Sequence, residues 1–178
     1  MPSSTYPRRS LRHLILLVVA GLLGSCSTDS TNPNRFSLAP SELAHLRAQQ
    51  SVSMRNAYQA PAPSKALRLT FDQKQLTDTA IAMLTRAMEK HGIAVAAEAE
   101  KTVTLRVRLA YLRMHGVAPV PQRTARIYLD AALGDGTSTS LEGEESSYGE
   151  FDRAIDGAIF MALKDLVADE KFVAYMKR

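Results

Sequence analysis

The chain of 178 residues contains one cysteine, no tryptophan and few aromatic residues. A single cysteine excludes an internal disulfide and a zinc site built from several thiolates. The longest apolar run, residues 14–23, is too short to cross a bilayer, which takes about 20 residues. Apolar residues still make up 46% and charged residues 22% of the chain, and this composition is typical of one globular domain.

Beyond its first 25 residues, the chain also has almost equal numbers of positive and negative residues. The net charge is +4, but Arg8, Arg9 and Arg12 precede every acidic residue. Residues 26–178 carry 19 Lys and Arg against 18 Asp and Glu. This near balance gives no support to a polyanion-binding protein, and we expect no nucleic-acid partner.

The amino terminus has the layout of an export signal. A polar stretch with three arginines is followed by the apolar run, then by the small residues Gly24 and Ser25, and then by Cys26. Leu23-Gly24-Ser25-Cys26 resembles the lipobox of bacterial lipoprotein precursors. The resemblance implies cleavage between Ser25 and Cys26, acyl chains such as palmitate on the Cys26 sulfur, and acylation of the new amino terminus. The alternative is an ordinary cysteine in a cleaved signal or a short anchor.

Location follows from the same residues. Two or more acyl chains anchor a protein stably to a membrane, whereas one chain binds only marginally. Ser27, rather than Asp, follows the cysteine, and by resemblance to enterobacterial sorting this implies the periplasmic face of the outer membrane rather than the inner membrane. Arg8-Arg9-Ser10-Leu11 is similar to a twin-arginine export motif. However, Arg12 stands where that motif prefers an apolar residue, so twin-arginine and general export both stay open.

We therefore divide the chain into a signal peptide (1–25), a lipidated cysteine with a flexible tether (26–40) and one periplasmic domain (41–178). The tether is inferred from Ser, Thr, Asp, Asn and Pro, which cannot bury a core. Alternation of apolar and polar residues predicts strands over 52–58, 67–71, 93–97, 103–111 and 125–133, and a further strand after residue 136.

Two main helices are predicted, each from a capping box and an apolar stripe. Asp72 with Gln75 begins the first, which ends at Lys90-His91-Gly92, and Ser147 with Glu150 begins the second. Gly157 inside the second helix indicates close packing against a neighbour. A short helix is expected over 40–47, and Phe172, Tyr175 and Met176 are expected to fold back over the core.

The predicted strands each have one apolar face, so helices cover one side of the sheet only. We predict an α+β two-layer sandwich, with a mixed or mainly antiparallel sheet of five to six strands and two main helices on one face. A three-residue loop at Gly134-Asp135-Gly136 pairs Leu129 with Leu141 and keeps both on one face. The same register places Glu144 opposite Arg126.

The residues that usually carry catalysis or metal binding do not form a recognisable motif here. His45, His91 and His115 lack partners at metal-ligand spacing, and no nucleotide-binding glycine pattern occurs. The cluster of Glu142, Glu144 and Glu145 fits a solvated strand better than a glycosidase pair. We expect no enzyme activity, no metal and no cofactor beyond the acyl lipid on Cys26.

Arginines on polar strand positions form the candidate binding surface: Arg68, Arg106, Arg108 and Arg126. An uncovered sheet that carries several arginines can receive an anionic lipid, a glycan or an acidic partner. The alternative is a solvated face that Glu142 and Glu144 balance.

The order of elements, the lipobox and the Ala-rich last helix, ending in Lys164-Asp165-Leu166-Val167-Ala168-Asp169 before Phe172, resemble small YajG-type bacterial lipoproteins. The resemblance covers about residues 50–178 and implies an uncharacterised periplasm-facing lipoprotein. We therefore expect a membrane-anchored, non-enzymatic accessory module that binds an envelope protein. A binder or carrier of an anionic envelope lipid or glycan is one alternative, and an unrecognised hydrolase is another.

Overall fold

The computed structural model describes residues 31–46, 51–67, 69–116 and 121–178. Four helices are present in that part of the chain: α1 (Pro40–Leu43), α2 (Gln73–Lys90), α3 (Phe151–Ala168) and α4 (Glu170–Lys177). Six strands accompany them: β1 (Val52–Asn56), β2 (Pro63–Ala66), β3 (Leu69–Asp72), β4 (Lys101–His115), β5 (Gln122–Leu133) and β6 (Ser138–Tyr148).

The main sheet has the strand order β1-β4-β5-β6, with β1 parallel to β4 and the other pairs antiparallel. Helices α2 and α3 pack on one of its faces, which confirms the α+β two-layer class. The sheet has four strands rather than five or six, because β2 and β3 pair with each other in a separate hairpin. The predicted strand at 93–97 forms a single parallel bridge, between Val52 and Val95.

The sequence does not predict strand β2, because Pro61 and Pro63 indicate a break in regular structure. Pro63 is the first residue of the strand and pairs with Asp72. Proline lacks a backbone donor, and it is tolerated at the first position of an edge strand.

Both ends of α2 follow from local chemistry, whereas the start of α3 does not. The Asp72 carboxylate accepts a hydrogen bond from the backbone N–H of Lys74 at 2.9 Å, which confirms the start of α2. The helix ends at Lys90, and Gly92 has a φ of +82°, as expected for its carboxyl end. The capping box predicted at Ser147 is wrong, because Ser147 pairs with Arg123 inside β6 and Glu150 precedes the first turn of α3.

Helix α4 returns the end of the chain to the core. The Asp169 carboxylate accepts from the Phe172 N–H at 3.0 Å and caps the helix. Phe172, Tyr175 and Met176 are buried, as predicted. The Tyr175 hydroxyl accepts from the Thr102 N–H at 2.8 Å, so it ties the helix to the first residues of β4.

The hairpin between β5 and β6 has the predicted register. Leu129 pairs with Leu141 and Arg126 with Glu144, and the Leu133 N–H donates to the Thr137 carbonyl at 2.9 Å. Gly136 closes the three-residue loop with a φ of +87°, a conformation that glycine adopts without strain.

A bulge in β4 reverses its alternation. Leu109 pairs with Ile127, but the next paired residue, Tyr111, lies opposite Arg126, so Ala110 is left over. The extra residue moves every later side chain to the other face. Tyr111, predicted to continue the apolar set, therefore points away from the helices, and Leu112 is buried in its place.

Residues 31–38, here called the N-terminal segment, were expected to belong to a flexible tether, but they pack against the domain. They contact α2 and α3: the Asn32 N–H donates to Asp156, and the Phe36 ring stacks on Phe160 at 5.5 Å between centroids. Leu38 is buried in the core. The composition of the segment is polar, and it binds through two main-chain groups, a threonine hydroxyl, one arginine and two apolar side chains. The expectation of a tether then concerns residues 26–30, which lie outside the described residues.

Two glycines allow α3 to lie directly on β6. A Cβ added at Gly143 would stand 1.9 Å from the backbone oxygen of Ala158, and one at Gly157 would stand 2.4 Å from Cγ of Glu145. The close approach predicted at Gly157 is confirmed. The obstacle at Gly143 is backbone, which cannot move without shifting α3, whereas the obstacle at Gly157 is a side chain.

We predict that Gly143→Ala lowers the free energy of unfolding by at least about 2 kcal/mol, as overpacking of a close contact does. The matched variant Gly157→Ala should cost less, because Glu145 can turn aside and alanine favours a helix by about 1 kcal/mol over glycine. Urea unfolding of both variants checks this. A larger loss for Gly157→Ala would contradict the packing described here.

Candidate functional site

The face of the main sheet turned away from α2 and α3, here called the open face, carries three of the predicted arginines. Arg106 and Arg108 lie on β4 and Arg126 on β5, each at a position that alternates with buried residues. Arg68, Ser25 and Cys26 lie outside the described residues.

The charge of Arg108 is neutralised by Asp130 on the neighbouring strand β5. Its Nε and Nη2 donate to the two carboxylate oxygens of Asp130 at 2.9 and 3.2 Å, and the Ser140 hydroxyl donates to the same carboxylate at 2.7 Å. Desolvation by itself would raise the pKa of Asp130, but the hydrogen bonds from Arg108 and Ser140 hold that pKa below its ordinary value. The guanidinium also lies 5.3 Å from the centre of the Tyr128 ring. Arg108 is therefore held in a fixed position.

Arg126 belongs to a second network, which crosses three strands. Its Nε lies 3.0 Å from Oε1 of Glu142 and donates to Oε2 of Glu144 at 2.6 Å. The Tyr111 hydroxyl donates to the same Glu144 oxygen at 2.6 Å. The hydrogen bond from Tyr111, followed by that from Arg126, lowers the pKa of Glu144. The guanidinium of Arg113 stacks on the Tyr111 ring at 4.4 Å, so the bulge that turned Tyr111 outward also completed this network.

Arg106 differs from the other two. Its guanidinium lies 5.7 Å from the centre of the Tyr58 ring, and no carboxylate in the described part of the chain forms an ion pair with it. On the open face, Arg108 and Arg126 are thus paired with carboxylates of β5 and β6, and Arg106 forms no ion pair among the described residues. The predicted balance by Glu142 and Glu144 holds for Arg126, whereas Arg108 is balanced by Asp130.

The tyrosines of the open face were missed as site residues. Tyr111 and Tyr128 lie beside arginines, and Tyr58, which follows β1 and donates from its hydroxyl to Gln73 of α2, lies beside Arg106. Tyr128 stands between Ile127 and Leu129, both buried, so its polar position could have been read from the alternation. Tyr111 could not, because the bulge has no residue signature in the sequence.

The outer edge of the sheet is the long strand β6. Within the described ranges, β6 pairs with β5 and with no other strand. The bond from Leu133 to Thr137 makes the odd-numbered residues of β6 the hydrogen-bonded partners of β5. The backbone N–H and C=O groups of the even-numbered residues therefore point outward along the edge. Tyr148, at its end, is 71% exposed.

A buried charged cluster lies on the other side of the molecule, under the N-terminal segment. Asp156 of α3 is 0% exposed, and both its oxygens accept from the Asn32 N–H, at 3.2 and 3.1 Å. Arg35 donates from Nη2 to Asp152 at 2.9 Å and places Nη1 3.1 Å from Asp156. Burial raises the pKa of Asp156 to about 6, against the lowering effects of the Asn32 N–H and Arg35, and Asp152 raises it further. The signal in the sequence is a pair of aspartates four residues apart within the apolar stripe of a helix.

The described residues offer no further reactive site. His45 Nε2 lies 2.6 Å from the Val167 carbonyl oxygen, so it has a structural partner. No three His, Cys, Asp or Glu side chains come together to hold a metal ion in the part of the chain that the structure covers. Among the same residues, no helix combines the length and hydropathy needed to span a membrane.

No family model matches the chain, and no curated protein matches it. The solved structures it is similar to include a DUF330 protein from Xanthomonas campestris, at 15% identity and a TM-score of 0.39, covering 83% of this chain and 90% of that one. A minor lipoprotein from Acinetobacter baumannii has 11% identity and a TM-score of 0.36, covering 66% of this chain and 90% of that one. Likenesses at this level carry no argument about function.

The buried carboxyl predicts a pH dependence of stability. Because the folded state binds the Asp156 proton more tightly than the unfolded chain, this group makes the protein less stable as pH rises from about 4 to about 6, by up to about 3 kcal/mol. Asp156→Asn should remove that fall, whereas Asp165→Asn, on the exposed side of the same helix, should keep it. Urea unfolding of the wild type and of each variant at pH 4.5 and at pH 7 gives the change in the free energy of unfolding between the two pH values. The same change in Asp156→Asn as in the wild type would refute the assignment.

Proposed function

We propose that this protein is a lipid-anchored, non-enzymatic accessory protein of the bacterial envelope, on the periplasmic face of the outer membrane, that binds a protein partner through the open face and the β6 edge. The lipobox-like Leu23-Gly24-Ser25-Cys26 supports the anchor. The observation that carries the binding role is the long uncovered sheet face, on which arginines and tyrosines are held in place by neighbouring side chains.

The composition of the open face suits a protein partner. Tyrosine and arginine are enriched at protein interfaces, because they bury a large area and also donate hydrogen bonds. Tyr128 and Tyr111 are held by stacking on arginines, so little side-chain entropy is lost when a partner covers them. The outward backbone groups of β6 beyond Ser138, whose carbonyl accepts from Lys171, add a second mode, in which an extended segment pairs with the edge as a further strand.

An anionic envelope lipid or glycan is the second candidate ligand, and Arg106 is the observation that favours it. This guanidinium has an aromatic neighbour and no ion pair among the described residues. An anion at Arg108 or Arg126 would compete with carboxylates that are already hydrogen-bonded. A protein surface can instead match both signs of charge, so we favour the protein partner.

A hydrolase is the least supported alternative. The buried carboxylates Asp152 and Asp156 are occupied by Arg35 and by the Asn32 N–H, so they do not line an open cleft. We propose no catalytic residue and no cofactor other than the acyl lipid on Cys26.

The anchor is tested by metabolic labelling. We expect labelled palmitate to enter the wild-type protein and not Cys26→Ser, because a serine hydroxyl does not replace the thioether. The control Ser27→Ala keeps the sulfur and should be labelled like the wild type. Equal labelling of Cys26→Ser would remove the anchor from the proposal.

The binding surface is tested by photo-crosslinking in intact cells. A photoreactive phenylalanine at Tyr128 and at Glu142 should give one adduct of the same size, while the same residue at Glu89 on α2 should not. Arg106→Glu should leave a protein adduct largely intact but abolish capture of an anionic lipid or glycan. Adducts of equal yield from Glu89, or none from the open face, would count against the proposed surface.

A further inference from the structure

The N-terminal segment is attached to the outer side of the helix layer. The hydroxyls of Thr31 and Thr79 lie 2.6 Å apart, and Arg86 donates from Nη1 to the Pro33 carbonyl at 2.8 Å. Asn32 and Arg35 bind the aspartates of α3, so the segment contacts both main helices. The hydrogen bonds that these residues make outside the segment are therefore with the two main helices.

Helix geometry shows which side of the layer these contacts occupy. Successive helical residues are rotated by about 100°, so residues two apart lie about 200° apart around the axis. The backbone of Ala158 touches Gly143 of β6, and Asp156 comes two residues before it. Thr79 comes two residues after Thr77, whose hydroxyl accepts from Val107 of β4. Asp156 and Thr79 therefore face away from the sheet, and the N-terminal segment lies opposite the open face.

The segment is strongly held there. Asp156 is fully buried, and its partners are the Asn32 N–H and Arg35. Releasing the segment would break the ion pairs of Arg35 with Asp152 and Asp156 and would expose the apolar side chain of Leu38 to water, which is unfavourable. The stacked rings of Phe36 and Phe160 add an apolar contact.

The length of chain before the segment limits how far the domain can turn. Five Cα steps separate Cys26 from Thr31, and they span at most about 18 Å. A helix with its side chains is about 10–12 Å across and packed layers lie about 10 Å apart, so the domain is about 20 Å thick before the segment is added. These five steps are therefore too short to let the open face turn toward the bilayer that holds Cys26.

We propose that the N-terminal segment orients the anchored domain, with the helix layer toward the bilayer and the open face away from it. The inference rests on the proposed lipidation of Cys26. It deepens the proposed function, because the ligand of the open face must then come from the periplasmic side and not from headgroups of the membrane that holds the anchor. A protein that extends into the periplasm fits this position.

The test uses the lipidated full-length protein in vesicles that contain headgroup-labelled nitroxide lipids. A fluorophore is attached to a cysteine at Gln75, beside Thr31, or at Ala132 on the open face; both positions are exposed, and acylation protects Cys26. The fraction quenched at Gln75 should exceed that at Ala132 by at least about twofold, because the layers place the two sites about 20 Å apart.

A longer connection provides the matched variant, since it leaves every described residue unchanged. About 15 Gly and Ser residues inserted between Thr28 and Asp29 extend the average reach to about 25 Å. The difference between the two sites should then disappear. The double variant Arg35→Ala/Phe36→Ala should give the same loss if it stays folded by circular dichroism, and the insertion alone decides the matter if it does not.

The outcomes separate the two proposals. Equal quenching at Gln75 and Ala132 in the unmodified protein, or stronger quenching at Ala132, would overturn the orientation while leaving the anchor and a binding surface in place. Failure of both probes to be quenched would instead mean that the protein is not anchored through Cys26. A preserved difference after the insertion would also overturn the inference, because the orientation would then not depend on the segment.

Discussion

The fold depends on one constraint: helix α3 lies so close to β6 that glycine is required where they meet. Gly143 brings the sheet against the backbone of Ala158, and Gly157 accommodates the Glu145 side chain. This contact fixes the helix layer on one face of the sheet. Among the described residues no helix covers the other face, so its side chains satisfy one another or a partner.

The polar side chains of the uncovered face satisfy one another across strands. Asp130 holds Arg108, and Glu144 holds both Arg126 and Tyr111. A network of this kind keeps aromatic and guanidinium groups rigid while leaving them exposed, which reduces the entropy lost on binding. On the opposite side, the buried Asp156 binds the beginning of the domain to α3, so the N-terminal segment and the open face lie on opposite sides of the molecule.

Strands with regular alternation and helix caps formed by neighbouring residues can be predicted from the sequence. Prediction fails where one extra residue reverses the alternation of a strand, or where a segment is buried by residues far along the chain. Leu129 opposite Leu141 followed from the length of a glycine loop, and the Asp72 cap from residue type alone. The bulge at Ala110 has no such signature, so Tyr111 was placed on the wrong face. The Thr- and Asn-rich start of the domain looked like a tether because its partner, Asp156, lies 124 residues further on. Arg106, Arg108 and Arg126 alternate with buried residues as predicted, but the partners that neutralise Arg108 and Arg126 follow from strand register and could be predicted only for Arg126.

The central claim is that the uncovered face and the β6 edge are the working surface of an anchored protein. Hydrogen–deuterium exchange of the lipidated protein, measured in native envelope membranes and again in purified lipid vesicles, tests it most directly. The claim predicts that the even-numbered amides of β6 and the neighbouring segments of β5 are more protected in the native membranes. Added protection confined to α2 and α3, with β6 unchanged, would contradict it.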